Sequence, residues 1–218
     1  IIIDDVMMYD QKGDSMIYAS RISAKVSLLP LLNQKISIAS AQLFGLKANL
    51  YQQTPQSKHN FQFVLDSLAS KDTTKHTPLD LHIGSLIIRH GAVKYDKRYI
   101  ASKSGVFSPA HISISDLSTH IIANHITDDA INLHIKKLAF RDKSGLQLNS
   151  LSFKLDANKR EASLKEFELQ LPHSDITLGD IHATYRFDNG KLVMPSLQYS
   201  GSIEQSKITL SDIACLLP

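Results

Sequence analysis

The sequence predicts a mainly β protein: an elongated, curved antiparallel β-meander of groove-like form, carrying one or two short helices. Three observations lead there. Apolar and polar residues alternate at Ile36 and Ile38, Leu81 and Ile83, Ile112 and Ile114, Ile131, Leu133 and Ile135, Leu146 and Leu148, and Ile208 and Leu210. That period of two gives a strand one apolar face and one polar face. Short segments rich in Asp, Asn, Ser and Gly separate the alternating runs, and a single apolar motif with a built-in slip recurs along the chain.

Taken in order, the first element is an apolar opening at Ile1 to Ile3, followed by Asp10-Gln11-Lys12-Gly13-Asp14, which reads as a hairpin turn. Leu28-Leu29-Pro30-Leu31-Leu32-Asn33 is too rich in Leu for a turn and is broken by Pro30, so a single helical turn at a strand junction is expected. Phe61, Val64, Leu65 and Leu68 recur at helical spacing behind Asn60, a good N-cap residue, which predicts a short amphipathic helix over 61–70. The polar stretches 52–60 and 71–79 flank it, making 52–80 a loop-helix-loop insertion. An exposed loop is expected over 97–110, with Tyr99, Ser102, Ser104, Gly105 and Pro109. Beyond residue 111 the connections are Thr127-Asp128-Asp129, Asp142-Lys143-Ser144-Gly145, Ala157-Asn158-Lys159-Arg160, Pro172-His173-Ser174-Asp175 and Asp188-Asn189-Gly190. Asp and Asn tolerate left-handed backbone angles and Gly adopts them freely, so Asn189-Gly190 is the strongest hairpin signal. Connections this short join antiparallel strands, because parallel pairing needs a crossover of roughly a dozen residues.

The recurring motif is apolar, any, apolar, any, small or polar, apolar. Its copies are Ile36 to Ala41, Leu81 to Leu86, Ile112 to Leu117, Leu146 to Leu151, Ile176 to Ile181 and Ile208 to Ile213. In each, the last apolar residue comes three positions after the one before it, a slip that would ordinarily turn later side chains to the opposite face. A β-bulge absorbs the extra residue and increases curvature. Strands that bend alike at a common level form a trough. The apolar side chains expected to line it are Ile112, Ile114, Leu146, Leu148, Leu151, Phe153, Leu155, Ile176, Leu178, Ile181, Ile208 and Leu210.

Composition limits the function classes. With 218 residues and 24.2 kDa the chain fits one substantial core or one long β-assembly, taken here as a single fragment over 1–218. A net charge of +3 argues against an electrostatic nucleic-acid binder. There are 13 basic and 8 acidic residues through Pro109, then 11 and 13, an asymmetry too mild to name a partner. A single cysteine, Cys215, excludes a disulfide framework and a CxxC metal site. No apolar run approaches the roughly 20 residues of a spanning helix, and no signal-peptide pattern is present. Because the chain opens at Ile1 inside a strand, it is expected to be a segment of a longer protein whose anchor lies outside it.

Catalytic readings fail on context. Gly13-Asp14-Ser15 spells the start of one lipase motif but lacks a βα setting and a later Asp-x-x-His, and the turn reading takes precedence. No Gly-x-Ser-x-Gly elbow, phosphate-binding Gly loop or His-Glu-x-x-His occurs. His82, His134 and His182 fall between apolar neighbours and are expected on the solvated face; His120 and His125 point to opposite faces of one strand and chelate poorly. The adjacent carboxylates Asp4-Asp5 and Asp128-Asp129 read as solvated turn or strand-end residues. No catalytic residue, metal site or cofactor is assigned.

Ile36 to Leu50, Asn60-Phe-Gln-Phe-Val-Leu-Asp-Ser-Leu68, Pro78 to Tyr95 and the repeated Ile-Thr-Leu-Ser-Asp-Ile resemble the N-terminal part of Bacteroidetes TamB-type proteins, relatives of the AsmA group. The most characteristic piece is Leu86 to Tyr95, a strand ending in Leu that leads into a Gly-x-Val-x-Tyr strand. The resemblance covers most of the chain. It implies a periplasmic β-groove in a protein anchored to the inner membrane by a helix outside this chain, carrying phospholipid acyl chains toward the outer membrane and linked to assembly of outer-membrane β-barrel proteins. No single family residue transfers beyond the apolar positions above. Two alternatives stay open: a chaperone-like scaffold that offers a sheet edge to client strands, and a closed β-sandwich with a structural role.

Overall fold

A computed structural model describes residues 1–27, 37–69, 82–126, 130–188 and 191–217. The strands in chain order are β1 (Ile2–Tyr9), β2 (Ser15–Ser27), β3 (Ser37–Phe44) and β4 (Lys47–Gln52), then helix α1 (Gln62–Ala69), then β5 (His82–Ile83), β6 (Ser85–Lys97), β7 (His111–Ile126) and β8 (Ala130–Asp142). There follow β9 (Gln147–Asn158), β10 (Glu161–Gln170), β11 (Asp175–Leu178), β12 (Ile181–Thr184), β13 (Phe187–Asp188), β14 (Lys191–Leu192), β15 (Gln198–Ser200) and helix α2 (Leu210–Ile213). The protein is mainly β, with one large sheet ordered β15-β12-β10-β9-β8-β7-β6-β4-β2-β3-β5, β1 on β2, β11 on β10, and a separate β13-β14 pair. Contacts group the chain into two compact units, one of residues 1–118, 140–146 and 215–218 and one of 119–139 and 147–214.

The expected turns are where their chemistry puts them. Asp10 Oδ1 accepts the Lys12 and Asp14 amides at 2.9 and 3.0 Å, and Gly13 takes φ 88°. Asn158 Oδ1 accepts the Arg160 and Glu161 amides, and Asp142 accepts the Ser144 amide at 2.8 Å. Such Asx turns replace ladder bonds that the chain loses on reversing. β13 and β14, which flank 189–190, pair antiparallel as a hairpin requires. The helical turn expected at 28–33, the loop 71–79 and the turn residues 127–129 and 189–190 lie outside the described residues.

Three expectations are corrected. The first unit is mixed and not a pure meander: β3 pairs parallel with β5 and β6, and β4 pairs parallel with β6. The 52–80 insertion supplies the long crossover that parallel pairing demands. Asn60 does not cap α1, which starts at Gln62; its side chain accepts the Tyr51 amide at 2.9 Å and donates to the Asn49 carbonyl at 3.0 Å, standing in for a strand partner along β4. The alternation at Ile208 and Leu210 is not a strand, because Leu210 begins α2. Asp212 in that helix accepts hydrogen bonds from the His173 amide and the Ser174 hydroxyl at 2.8 and 2.7 Å, which ties the segment to the β10–β11 turn.

The slip motif acquires a structural meaning in the first unit. Ile36–Ala41 and Leu81–Leu86 are related by the same offset as the parallel register Ser37↔His82, Ala41↔Leu86, so the described parts of these two copies, 37–41 and 82–86, lie side by side. The β2–β3 register shifts between Lys25 and Val26, opposite Ala39, and Gly84 stands beside Ala39, where an added Cβ would lie 3.1 Å from the Ala39 carbonyl oxygen. A second crease crosses the same sheet lower down. The registers set Asp5 opposite Ser20, Ser20 opposite Gly45, and Gly45 beside His90. Asp5, Gly45 and His90 all have left-handed φ, at 53°, 59° and 54°. On β7, Asp116 has φ 53°, and Leu117 packs against Gly91 so closely that a Cβ there would lie 3.2 Å from the Leu117 Cβ.

Each strand crossing this lower crease carries two apolar-face residues three apart: Ile3 and Val6, Ala19 and Ile22, Leu43 and Leu46, Ile88 and Gly91, Ile114 and Leu117. The cross-strand row Ile3, Ile22, Leu43, Ile88 precedes the crease, and the pair Val6 and Ala19 follows it. Ala19, Leu46 and Leu117 are only 0%, 8% and 9% exposed. On the inside of a bend neighbouring side chains close over one another, and burial of these residues among those described fits an apolar face that is concave at the crease.

Candidate functional site

The second unit shows the candidate site most fully. Residues directly opposite in antiparallel strands share a face, so the registers give whole rows. Leu151, Leu169 and Ile176 form one; Leu155, Leu164 and Ile181 form another; Ala157, Ala162, Ala183 and Tyr199 form a third. Between them Phe167 pairs with Leu178, and its ring stacks on Phe153 with centroids 6.3 Å apart. The opposite face carries Ser150 with Gln170 and Asp175, Ser152 with Glu168 and Thr177, and Asp156 with Ser163, His182 and Ser200.

A single left-handed residue keeps these faces distinct. The β9–β10 register shifts between Lys165 and Glu168, and Glu166 has φ 52°. The bulge takes up one residue, so Leu164 and Phe167, three apart, both stay on the apolar side. Glu166 pairs with Lys154 on the charged side, where Asn132 also donates to Asp156 at 2.6 Å. That side is not fully solvated. His134 is half-buried, and burial, then Lys154 and Lys136, lowers its imidazole below the ordinary value. His182 is exposed beside Glu161.

The apolar rows are half-buried throughout: Leu151, Phe153, Leu155, Leu164, Phe167, Leu169, Ile176, Leu178 and Ile181 are neither sealed nor free. The element pairs in contact here, β9 with β10, β10 with β11 and β12, and β12 with β15, are all neighbours within the sheet. Among the described residues these side chains are neighbours within the sheet and cover one another laterally. In its native state the face still presents hydrocarbon that a further apolar group can bury.

Of the residues expected to line the trough, Leu151, Phe153, Leu155, Ile176, Leu178 and Ile181 are brought together on this face. Leu148 is buried at 7% exposure, and Leu146 is half-buried just ahead of β9. Ile112 and Ile114 are half-buried on β7 in the first unit. Ile208 and Leu210 stand apart, 59% and 70% exposed around the start of α2. Sequence reasoning missed Leu164, Phe167 and Leu169, which form the middle of the rows that hold Leu155, Phe153 and Leu151. Their three-then-two spacing is the same slip as in the motif, displaced by acidic and basic residues at the bend. Among the described residues no three His, Cys, Asp or Glu side chains gather as a metal would need.

No family model matches the chain, and no curated protein matches it.

Proposed function

We propose that the apolar sheet face is a non-enzymatic binding surface for lipid acyl chains, in a periplasmic β-groove protein that serves phospholipid transport and outer-membrane biogenesis from an inner-membrane anchor outside this chain. The observation that carries this reading is the continuous, half-buried row system of Ile, Leu and Phe on one face of β9 to β12, opposite a charged face. Contacts to it are non-directional and worth about 0.8 kcal/mol per CH₂ removed from water. A chain lying across the rows gains by length, with weak selectivity for its headgroup. The resemblance to TamB-type proteins supports the same reading.

A second reading has its own support. β1 pairs only with β2 among the described strands, and along it Ile2, Met7 and Tyr9 are 66%, 46% and 54% exposed. An open edge of this kind accepts an added strand, as a scaffold for outer-membrane proteins would.

Mass spectrometry of organic extracts from the purified chain separates the two. Acyl lipids are expected in the wild type and are expected to fall severalfold in Leu155→Asp/Leu164→Asp, with the far-ultraviolet strand spectrum retained. Lipid content unchanged by that pair of substitutions overturns the acyl-chain reading. A client strand crosslinked to β1 in the absence of lipid transfers support to the scaffold.

A further inference from the structure

The first unit holds a cavity of about 440 Å³, within the range of small-ligand sites, between β6, the start of β7, the loop at 102–106 and the β8–β9 turn. Three lysines from three separate elements line it: Lys94 of β6, Lys103 of the loop and Lys143 of the turn. None of the three forms an ion pair among the described residues.

The acidic groups in the wall are already committed. Asp142 accepts the Ser113 amide at 2.9 Å and the Ser144 amide at 2.8 Å. Burial pushes its carboxyl up, but the hydrogen bonds around it outweigh burial and hold its pKa below the usual carboxylate value. Asp96 faces the His111 Nδ1 at 2.7 Å. That contact fixes the ring, and its Nε2 is buried with no hydrogen-bond partner among the described residues. The Ser144 hydroxyl is buried in the same wall beside the Asp142 carboxylate, whose pKa it helps to lower. A buried ring nitrogen in the condition of His111 Nε2 is uncommon.

The wall is built rather than incidental. Its loop is pinned at the base by Lys97 N–H to the Ala110 carbonyl at 2.8 Å, by His111 N–H to the Ser108 carbonyl at 2.9 Å, and by Phe107 N–H to the Cys215 carbonyl at 2.8 Å. Three lysines without a described ion pair, lining one hollow beside a fixed imidazole, match a compact polyoxygen anion. Ammonium groups supply point charge to its oxygens, and the His111 ring, held in the wall, senses the added charge.

We propose that this cavity binds a phosphate group, whether of free phosphate or of a phosphate-bearing lipid headgroup. The site is independent of the acyl-chain reading, since none of the β9 to β12 row residues lines it.

The test titrates the intact protein with inorganic phosphate at constant ionic strength while following the His111 imidazole ¹H–¹⁵N signals. In parallel, the protein is floated with vesicles of phosphatidic acid in phosphatidylcholine and with vesicles of phosphatidylcholine alone. A saturable His111 shift is expected, with affinity about tenfold weaker in Lys103→Ala and in Lys143→Ala. Both lysines are exposed, so these variants keep the fold. A shift with phosphate but no vesicle binding assigns the site to the free anion. Flotation with phosphatidic acid that is lost in both variants, together with a His111 shift caused by lipid alone, assigns it to the headgroup. A His111 signal unmoved by either ligand, or a shift undiminished in the Lys103→Ala/Lys143→Ala double variant, overturns the proposal.

Discussion

At the scale of single residues, four side-chain-bearing positions among the described residues hold left-handed backbone angles: Asp5, His90, Asp116 and Glu166. Outside Gly, Asn and Asp that conformation costs about 1–2 kcal/mol, and it persists where the surroundings enforce it. Here the enforcement is the need to keep apolar faces aligned across a bend. Gly45 shares the level of Asp5 and His90 under a further constraint, because an added Cβ would lie 2.7 Å from the Ser20 Oγ, which itself donates to the Phe44 carbonyl at 2.8 Å. Gly45→Ala therefore meets both backbone strain and a committed hydroxyl, and a loss of about 2 kcal/mol or more is expected in urea unfolding. At Asp116 the same φ is met by an exposed side chain whose only described ionic contact is Arg141 at 3.5 Å. Asp116→Gly is expected to change stability by no more than about 1 kcal/mol, since relief of strain offsets the added chain entropy, while Asp116→Val is expected to cost about 1–3 kcal/mol. Equal losses in Gly45→Ala and Gly145→Ala, where φ is 100° and an added Cβ meets nothing within 4 Å, would mean that the angle alone, and not the Ser20 contact, sets the cost at Gly45.

At the scale of elements, the bulge is what makes β10 compatible with its neighbours. Its register to β11 and β12 runs without a slip across Glu166, whereas its register to β9 shifts there. Deleting Glu166 removes the spare residue and turns Phe167 and Leu169 toward the charged face, or else breaks their pairing with Leu178 and Ile176. Native-state hydrogen exchange is expected to show lost protection of the β9–β10–β11 amides in the deletion and near-normal protection in Glu166→Gly. Protection retained in the deletion would show that these strands re-register freely and that the bend is not specified by the sequence. The alternation and turn chemistry of these strands were legible in the sequence because both are local. The slip was legible as well, and at Asp116 the bend falls on the expected residue. Parallel pairing of β3 and β4 with β6 was not legible, because spacing along a strand is silent about which edge a returning strand chooses. Leu164 and Phe167 escaped notice because Lys165 and Glu166 interrupt the alternation where a bulge needs them. Ile208 to Ile213 misled because an apolar alternation ending in Ser-Asp-Ile fits a strand and a capped helical turn equally well; Asp212, bonded to His173 and Ser174, decides for the helix.

For the molecule as a whole, few hydrophobic residues are deeply buried among those described, and they cluster at the lower crease and at strand ends, as Met16, Ala19, Leu46, Leu117, Leu148 and Leu171 do. A protein stabilised this way draws on lateral packing within a sheet layer and leaves part of its apolar face unsatisfied in the native state. Ligands that bind only the native state raise stability by RT ln(1 + [L]/Kd), about 2.7 kcal/mol at a hundredfold excess over Kd. If the face of β9 to β12 is a binding surface, a single-chain lysophospholipid below its micellar concentration raises the unfolding midpoint in a concentration-dependent way. Because the attraction lies in methylenes, the gain increases with acyl length at fixed headgroup, at up to about 0.8 kcal/mol of binding energy per CH₂. Leu155→Asp/Leu164→Asp keeps its fold and loses the increment. If instead these side chains are ordinary core, the double substitution unfolds the second unit outright and the wild type shows no dependence on acyl length. Thermal unfolding with lysophospholipids of three chain lengths, in wild type and variant, distinguishes a surface that waits for hydrocarbon from one that has already buried all it needs.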